Sequence, residues 1–344
     1  MGYIIDGHID LAWNAVDLER DETAALEDIR AKEGATPAHG EGVATVSLPA
    51  LRAAGVRLLL GTVFTEPYRE GGKRPGYRSA EEAYQRARAQ FAYYHDLHAA
   101  GQISLIQTQD ELAALLAGAT PIPGLVPLLE GADSIRDPSD LAQFVAWGLR
   151  IVGLSWHGTR YAGGTKAPGP LTDAGRALLA EMTRLGVALD VSHLAEESFW
   201  QALEIFPGRV IASHANCRAL VPGDRQLSDE MIRAVAARDG VIGVVLYNPF
   251  LRAGWTPEIG KAGVTLQDVL AHIDHLVGLV GVEHVGIGSD LDGGVGRDDI
   301  PRELDAVTDL PRIADTLAAA GYPDAHITAI MASNWLRVLR NVLP

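Results

Sequence analysis

Cysteine is nearly missing from this chain. One residue, Cys217, stands among 344, so no internal disulfide can form, and the pattern fits a reducing compartment such as the cytoplasm. Lysine is scarce too, with only Lys32, Lys73, Lys166 and Lys261, each expected in a loop. No apolar run is long enough to span a bilayer, and no basic segment followed by an apolar one opens the sequence, so neither an anchor nor an export signal is expected. Internal repeats and low-complexity tracts are likewise absent. Basic charge is in deficit: 29 Lys and Arg face 44 Asp and Glu, a formal net charge of -15. Such a surface repels nucleic acid and anionic membranes and favours a small-molecule partner.

What is present is a core. Hydrophobic residues make up 47% and charged residues 21%, the composition of a globular protein. Apolar runs bounded by turn residues predict strands near 3–8, 56–63, 124–130, 150–155, 187–192, 209–213, 241–246 and 284–289. Helical patterns fall between them, at Ser79 to Ala100, Ser139 to Leu149, Asp173 to Leu185, Ala195 to Ile205, Ser228 to Arg238 and Thr265 to Val280. Alternating strand and helix argues for a parallel sheet, and eight units argue for closure, giving an α/β (β/α)8 TIM-like barrel with loop elaborations and C-terminal helices. Residues 1–344 are expected to form one unit, since such barrels run past 250 residues.

The intervals from Leu11 to Ala54 and from Glu66 to Gly124 are long enough to be elaborations, the second with an extra strand at Ile103 to Gln107. Glycine and proline cluster at 70–76 and 162–170, as in loops at a barrel mouth. The stretches Leu310 to Ala320 and Asp324 to Leu343 are expected across the outside, with Asp324 as a helix cap.

The chemistry lies where the strands run out, which is where barrel enzymes keep their sites. Tyr3-Ile4-Ile5-Asp6-Gly7-His8-Ile9-Asp10 puts His8 and Asp10 two residues apart, on one side of an extended chain. Val187-Ala188-Leu189-Asp190-Val191-Ser192-His193 and Arg209-Val210-Ile211-Ala212-Ser213-His214 each end in an imidazole. The runs into Glu130 and Asp290 end in carboxylates. Zinc favours neutral imidazole and carboxylate, and a catalytic site leaves a position open for water. His8, Asp10, His193 and His214 are the candidate ligands, and Glu130, with two oxygens, is the candidate bridge between two metals. A carbamylated lysine could bridge instead, but none falls at a predicted strand end. Asp290, in Gly288-Ser289-Asp290-Leu291-Asp292-Gly293-Gly294, could orient water, pass a proton or bind an ammonium group. Asp292 reads as a turn residue.

Gly7-His8-Ile9-Asp10, Glu130-Gly131, Asp190-Val191-Ser192-His193, Ala212-Ser213-His214, Arg225-Gln226-Leu227-Ser228-Asp229 and Gly288-Ser289-Asp290-Leu291-Asp292-Gly293 together resemble the motif series of the membrane (renal) dipeptidase family, a branch of the amidohydrolase-type zinc peptidases. Ala332-Ser333-Asn334-Trp335-Leu336-Arg337-Val338 is similar to its closing segment. The resemblance implies two zinc ions per subunit, one held by His8 and Asp10, the other by His193 and His214, with Glu130 between them. It implies hydrolysis of an unblocked dipeptide to two amino acids by a hydroxide between the metals. Asp290 would contact the substrate's amino group and assist proton transfer, and Arg225 would pair with its carboxylate, a task that suits a planar guanidinium. The family also carries a histidine that polarises the scissile carbonyl. In Leu154-Ser155-Trp156-His157-Gly158, counting from Glu130 selects His157, whereas aligning the strand selects Trp156; His157 is the expectation.

An amidohydrolase acting on another small amide, a lactamase or deacylase, is the alternative. A non-catalytic barrel should lack at least one zinc ligand, and none is missing. Cys217 is expected to be an inert thiol. His272 and His275, on one helix face, are expected at the surface, and His39 in a solvated loop. The pocket walls are expected around Trp13, Tyr68 and Tyr161. Oligomeric state is open, with a homodimer as the expectation.

Overall fold

The apolar runs form parallel strands, buried almost throughout as strands covered on both faces must be. In the computed structural model, which describes residues 2–34, 37, 42–119 and 121–344, nine strands occur in chain order: β1 Ile4–Ile9, β2 Val56–Phe64, β3 Ser104–Leu105, β4 Gly124–Glu130, β5 Ile151–Gly153, β6 Ala188–Asp190, β7 Val210–Ile211, β8 Ile242–Val244 and β9 Val285–Ile287. Eight of them run in the order β7-β6-β5-β4-β2-β1-β9-β8, and β3 adds to the edge of β4. A single bridge, Ala212 to Ile242, with Gly243 N–H donating to Ala212 O at 2.8 Å, joins the two ends. The result is a nearly closed eight-stranded parallel barrel.

The register between β2 and β4 is unbroken from Leu58 opposite Gly124 to Phe64 opposite Glu130. Glu130 then lies opposite Gly153, which lies opposite Asp190, so these residues form one tier at the C-terminal rim. β1 is irregular: Asp6 pairs with Leu59 and Ile9 with Gly61, leaving one extra residue on β1. A bulge of this kind turns the following side chains, and here it lies at Gly7-His8, just before Asp10.

Helices cover the barrel, and their caps are written in the sequence. Ala80–Ala99, Asp173–Leu185, Asp229–Ala236 and Leu266–Val280 are each preceded by a Ser or Thr whose hydroxyl accepts a first-turn amide, satisfying donors the helix leaves free. Lys32 lies within helix Leu26–Glu33 rather than in a loop.

The C-terminal segment departs from expectation in its placement. Asp324 to Val342 is helical as expected, through Asp324–Thr328, a wider turn at Ala329–Ser333 and Asn334–Val342 in unbroken succession, but it does not lie wholly on the outside. Asp324 sits inside the first turn, with Pro323 as the capping residue. The last helix packs Trp335, Leu336, Leu339 and Val342 into the same cluster as Ile5, Leu58, Leu60, Val126, Leu128, Ile151, Ala188 and Ile211. Those strand residues are the barrel's inward set, so the helix stoppers its N-terminal mouth. Trp335 lies so close to Gly7 and Gly286 that a Cβ on either would stand 2.4 Å from the indole. Its Nε1–H donates to Ile287 O at 2.8 Å.

Candidate active site

At the opposite mouth, the strand ends bring the sequence-predicted residues together. His8 Nε2 lies 3.5 Å from Asp10 Oδ2, 3.6 Å from Glu130 Oε2 and 3.8 Å from Asp290 Oδ1. His193 Nε2 and His214 Nε2 lie 3.1 and 3.5 Å from Glu130 Oε1 and 3.0 Å from each other. Glu130 therefore turns one oxygen to each side. Two sets result, His8 with Asp10 and Glu130, and His193 with His214 and Glu130, each with its ligand atoms within 4.8 Å of one another.

The backbone holds this arrangement under strain. His193, Asp290 and Asp292 have φ of 65, 60 and 65°, a region that side-chain-bearing residues rarely adopt and that clusters at functional sites. The Asp290 N–H donates to His8 O at 3.2 Å. Thr62 Oγ1 donates to Asp10 Oδ1, which leaves Asp10 Oδ2 directed at His8.

Several groups here lack a partner among the described residues. His8 Nε2 and Asp10 Oδ2 are buried without a hydrogen bond, and two imidazole nitrogens 3.0 Å apart face each other beside a carboxylate. Buried polar atoms are normally satisfied. These donors, imidazole nitrogen and carboxylate oxygen converging on two points, fit a pair of divalent cations.

Protonation follows from burial and neighbours. Burial pushes His193 down to about 4, with the Arg225 cation reinforcing it, and burial likewise holds His214 well below the usual imidazole range. Burial opposes charge on His8, but Glu130 and Asp10 beside it prevail and raise it. Glu130 is disfavoured as an anion by burial, yet His8 and His193 hold it well below the ordinary carboxylate value. Asp290 is raised by burial and by the Asp10 and Glu130 charges.

A cavity of about 500 Å³ opens onto this cluster. Arg225 is 6% exposed; its Nη2–H donates to His214 O at 2.7 Å, and its Nε and Nη1 have no partner among the described residues. It can therefore offer N–H groups to an anion in the cavity. His157 and Trp156 both line it, and burial together with the Arg69 and Lys166 cations holds His157 below the usual imidazole range. The two mouth loops contribute Arg69, Arg74, Thr165 and Lys166.

The walls differ from expectation, because they come from Phe64, Trp156, Tyr247 and Phe250. Trp13 is buried under Phe64, with ring centroids 5.5 Å apart, and Tyr161 is buried with its hydroxyl on Ile135 O. His272 is not at the surface: it is fully buried, its Nδ1 accepting the Cys217 N–H at 3.2 Å. His275 is half-buried and pairs with Asp229 at 2.8 Å. Cys217 is buried, and burial pushes its thiol up to about 12. His39 lies outside the described residues.

Two roles escaped the sequence reading. Asp292 is in a turn, but its carboxylate is buried and accepts from Thr45 N, Thr45 Oγ1 and Val46 N at 2.7, 2.8 and 2.9 Å. Asp190 and Ser213, quoted above only as parts of motifs, lie behind the histidines, with Ser213 Oγ donating to Asp190 Oδ2 at 2.5 Å. A carboxylate or hydroxyl on the rim tier of a strand, one to three residues before a histidine, was the available signal.

The family model described as "Membrane dipeptidase (Peptidase family M19)" matches residues 2–343. The chain belongs to the membrane dipeptidase family. Among solved structures, this M19 chain is similar to the dipeptidase AC, a metallopeptidase of the same family, with a TM-score of 0.84 and 26% identity over 99% of this chain and 98% of the other. It is also similar to a metallopeptidase from Rhodobacter sphaeroides bound to a phosphinate mimic of the dipeptide L-Ala-D-Ala, with a TM-score of 0.79 and 25% identity over 99% of each chain. Among sequences, an uncharacterised protein in the pqqA 5' region of Klebsiella pneumoniae is 33% identical over 71% of this chain and 91% of its own length. Dipeptidase aclJ of Aspergillus oryzae is 28% identical over 64% of this M19 chain and 52% of its own length. Among the described residues, no helix is long and apolar enough to cross a membrane.

Proposed function

We propose that this chain is a dinuclear zinc dipeptidase that hydrolyses an unblocked dipeptide to two amino acids, with 1–344 as one unit. The carrying observation is that Glu130 turns one oxygen toward His8 and the other toward His193 and His214. His8 and Asp10 would hold one ion and His193 and His214 the other, with Glu130 shared. Two zinc ions there supply Lewis acidity, activating water and polarising the scissile carbonyl.

The protein's own groups supply recognition and proton handling. Asp290, beside His8 and raised well above the usual carboxylate value by burial, would bind the substrate ammonium and carry a proton to the leaving amine. Arg225, held by His214 O with Nε and Nη1 unpartnered, would grip the terminal carboxylate. His157, kept neutral at the cavity wall, would donate a hydrogen bond to the carbonyl oxygen, a role that Trp156 on the same wall would take if its indole N–H reaches further in. The Rhodobacter sphaeroides relative, bound to a mimic of L-Ala-D-Ala, supports a D-residue at the carboxyl side. A cytoplasmic location, supported by the single buried thiol, and a homodimer belong to the same proposal.

The test is metal analysis coupled to substrate choice. Purified protein should hold two zinc ions, lose dipeptide turnover on chelation and regain it with zinc, while N-acetylated dipeptides and cyclic amides turn over at least a hundredfold more slowly. Full turnover by metal-free protein, or equal rates on lactams, would overturn it.

A further inference from the structure

We propose that Ser213, oriented by Asp190, fixes the tautomers of His8 and His214 together and so is one positioning residue for both halves of the metal site; the inference rests on the dinuclear reading above. A serine hydroxyl has one proton to donate and two lone pairs with which to accept. Ser213 Oγ is 2.5 Å from Asp190 Oδ2, 2.9 Å from His214 Nδ1 and 3.1 Å from His8 Nδ1. A carboxylate oxygen can only accept, so the hydroxyl proton goes to Asp190. Both imidazoles must then donate from Nδ1, so that each, in the neutral form that ligates a metal, carries its lone pair on Nε2.

Those Nε2 atoms face Glu130 from its two sides, at 3.6 Å from Oε2 for His8 and 3.5 Å from Oε1 for His214. One hydroxyl thus prepares a ligand for each ion. Metal-ligating histidines commonly have the second nitrogen held in this way, but here a single group serves two. His8, Asp190 and His214 also stand close enough together to suggest a third cation site. Ser213 Oγ occupies that position, within 3.1 Å of all three.

The hub is held by hydrogen bonds and close packing. Asp190 Oδ1 accepts the amides of Ser192 and Ser213 at 3.0 and 2.9 Å. Ser192 Oγ accepts the His214 amide at 3.1 Å and stands 3.3 Å from Ser213 Oγ, the longest of the four approaches to that hydroxyl. The Ser213 carbonyl is enclosed by Gly7, Gly243 and Gly288, where a Cβ would stand 2.8, 2.0 and 1.8 Å from it. His193 is served separately, its Nδ1 lying 3.0 Å from Thr165 Oγ1.

Asp190→Asn gives the sharpest contrast. The asparagine oxygen is needed by the two backbone amides, which leaves its NH2 to donate to Ser213. The serine proton must then turn to one imidazole, and that ring has to carry its proton on Nε2, where it cannot ligate. Metal content is the readout: zinc titrated into apoprotein against a chromophoric chelator, with the visible spectrum of the cobalt-substituted protein. Wild type should take two equivalents, Asp190→Asn only one tightly. Ser213→Ala should bind roughly 10–100-fold more weakly with an altered cobalt spectrum, and Ser213→Thr, which keeps the hydroxyl, should restore both. Should wild type bind two equivalents and Asp190→Asn and Ser213→Ala match its affinity and spectrum, the Ser213 role is overturned alone. Fewer than two equivalents in wild type would overturn the dinuclear reading and this inference with it.

Discussion

At the scale of single residues, the decisive contrast is between a buried ionisable group that lines the cavity and one that does not. Arg225 is a buried cation that lines the cavity, and its Nε and Nη1 have no partner among the described residues. Losing one member of a buried, hydrogen-bonded charge pair costs about 2–5 kcal/mol, so Arg225→Met should lower kcat/KM for free dipeptides by a factor of roughly 100 or more. For dipeptide amides, which lack the carboxylate, the same change should cost less than about tenfold; steady-state kinetics on both substrates decides, and equal losses would remove the carboxylate role.

Glu22 is the converse case. It is fully buried, and neither carboxylate oxygen has a hydrogen-bond partner among the described residues. Burial and the Asp292 charge raise its pKa well above the usual value, with Arg20 only partly opposing. The folded chain therefore keeps this proton at pH values where the unfolded chain has released it. Stability from this group is full below the unfolded value and declines as pH rises from there to the folded value. Glu22→Gln should match wild type near about pH 4 and exceed it in melting temperature near about pH 8; a difference that does not change with pH would refute this.

At the scale of elements, the exit from β9 is not free-standing. Asp292 holds the segment around Thr45 and Val46, and Arg20 Nη1 lies 3.2 Å from Asp292 Oδ2. Arg20 Nη1 also donates to Asn14 Oδ1 at 3.0 Å, and Asn14 Nδ2 donates to both Asp10 O and Asp292 O, at 2.8 and 2.9 Å. The long excursion after β1 is thereby latched onto the turn that carries Asp290. Asp292→Ala leaves the Thr45 and Val46 amides without their acceptor, at about 1–3 kcal/mol for each unsatisfied buried group, while Arg20 keeps its pair with Glu33 at 2.6 Å. The substitution should lower kcat by roughly a hundredfold while far-UV circular dichroism stays that of the barrel. An unchanged kcat would show that the latch does not position Asp290. Sequence placed Asp292 in a turn correctly but could not assign its carboxylate, because Thr45 lies 247 residues away. His272 was misplaced for the same reason: helix periodicity shows which residues share a face, not which element covers it.

At the scale of the whole molecule, the eight strands and most helices were legible because each rests on local signals, apolar runs and Ser or Thr caps. The rim residues were legible because parallel strands deliver their last side chains to one end. Closure was legible from the count of eight units, but the Ala212 to Ile242 bridge that makes it and the terminal stopper were not, since both are long-range facts. The stopper divides labour along the barrel axis, with cohesion at one mouth and the chemistry proposed here at the other. Trp335 is fully buried between Gly7 and Gly286, and no larger residue at those positions could admit it. Phe or Trp to Ala in a core costs about 3–5 kcal/mol, so Trp335→Ala should lower the free energy of unfolding by that amount, read as a lower denaturant midpoint at an unchanged slope. Because Gly7 immediately precedes His8, slack in the Trp335 pocket would also reach the β1 bulge. Zinc affinity should weaken at the His8 and Asp10 side while the His193 and His214 side keeps its ion, which sequential zinc titration resolves. A Trp335→Ala protein that loses stability but binds both ions as wild type does would show that the stopper and the rim are mechanically independent.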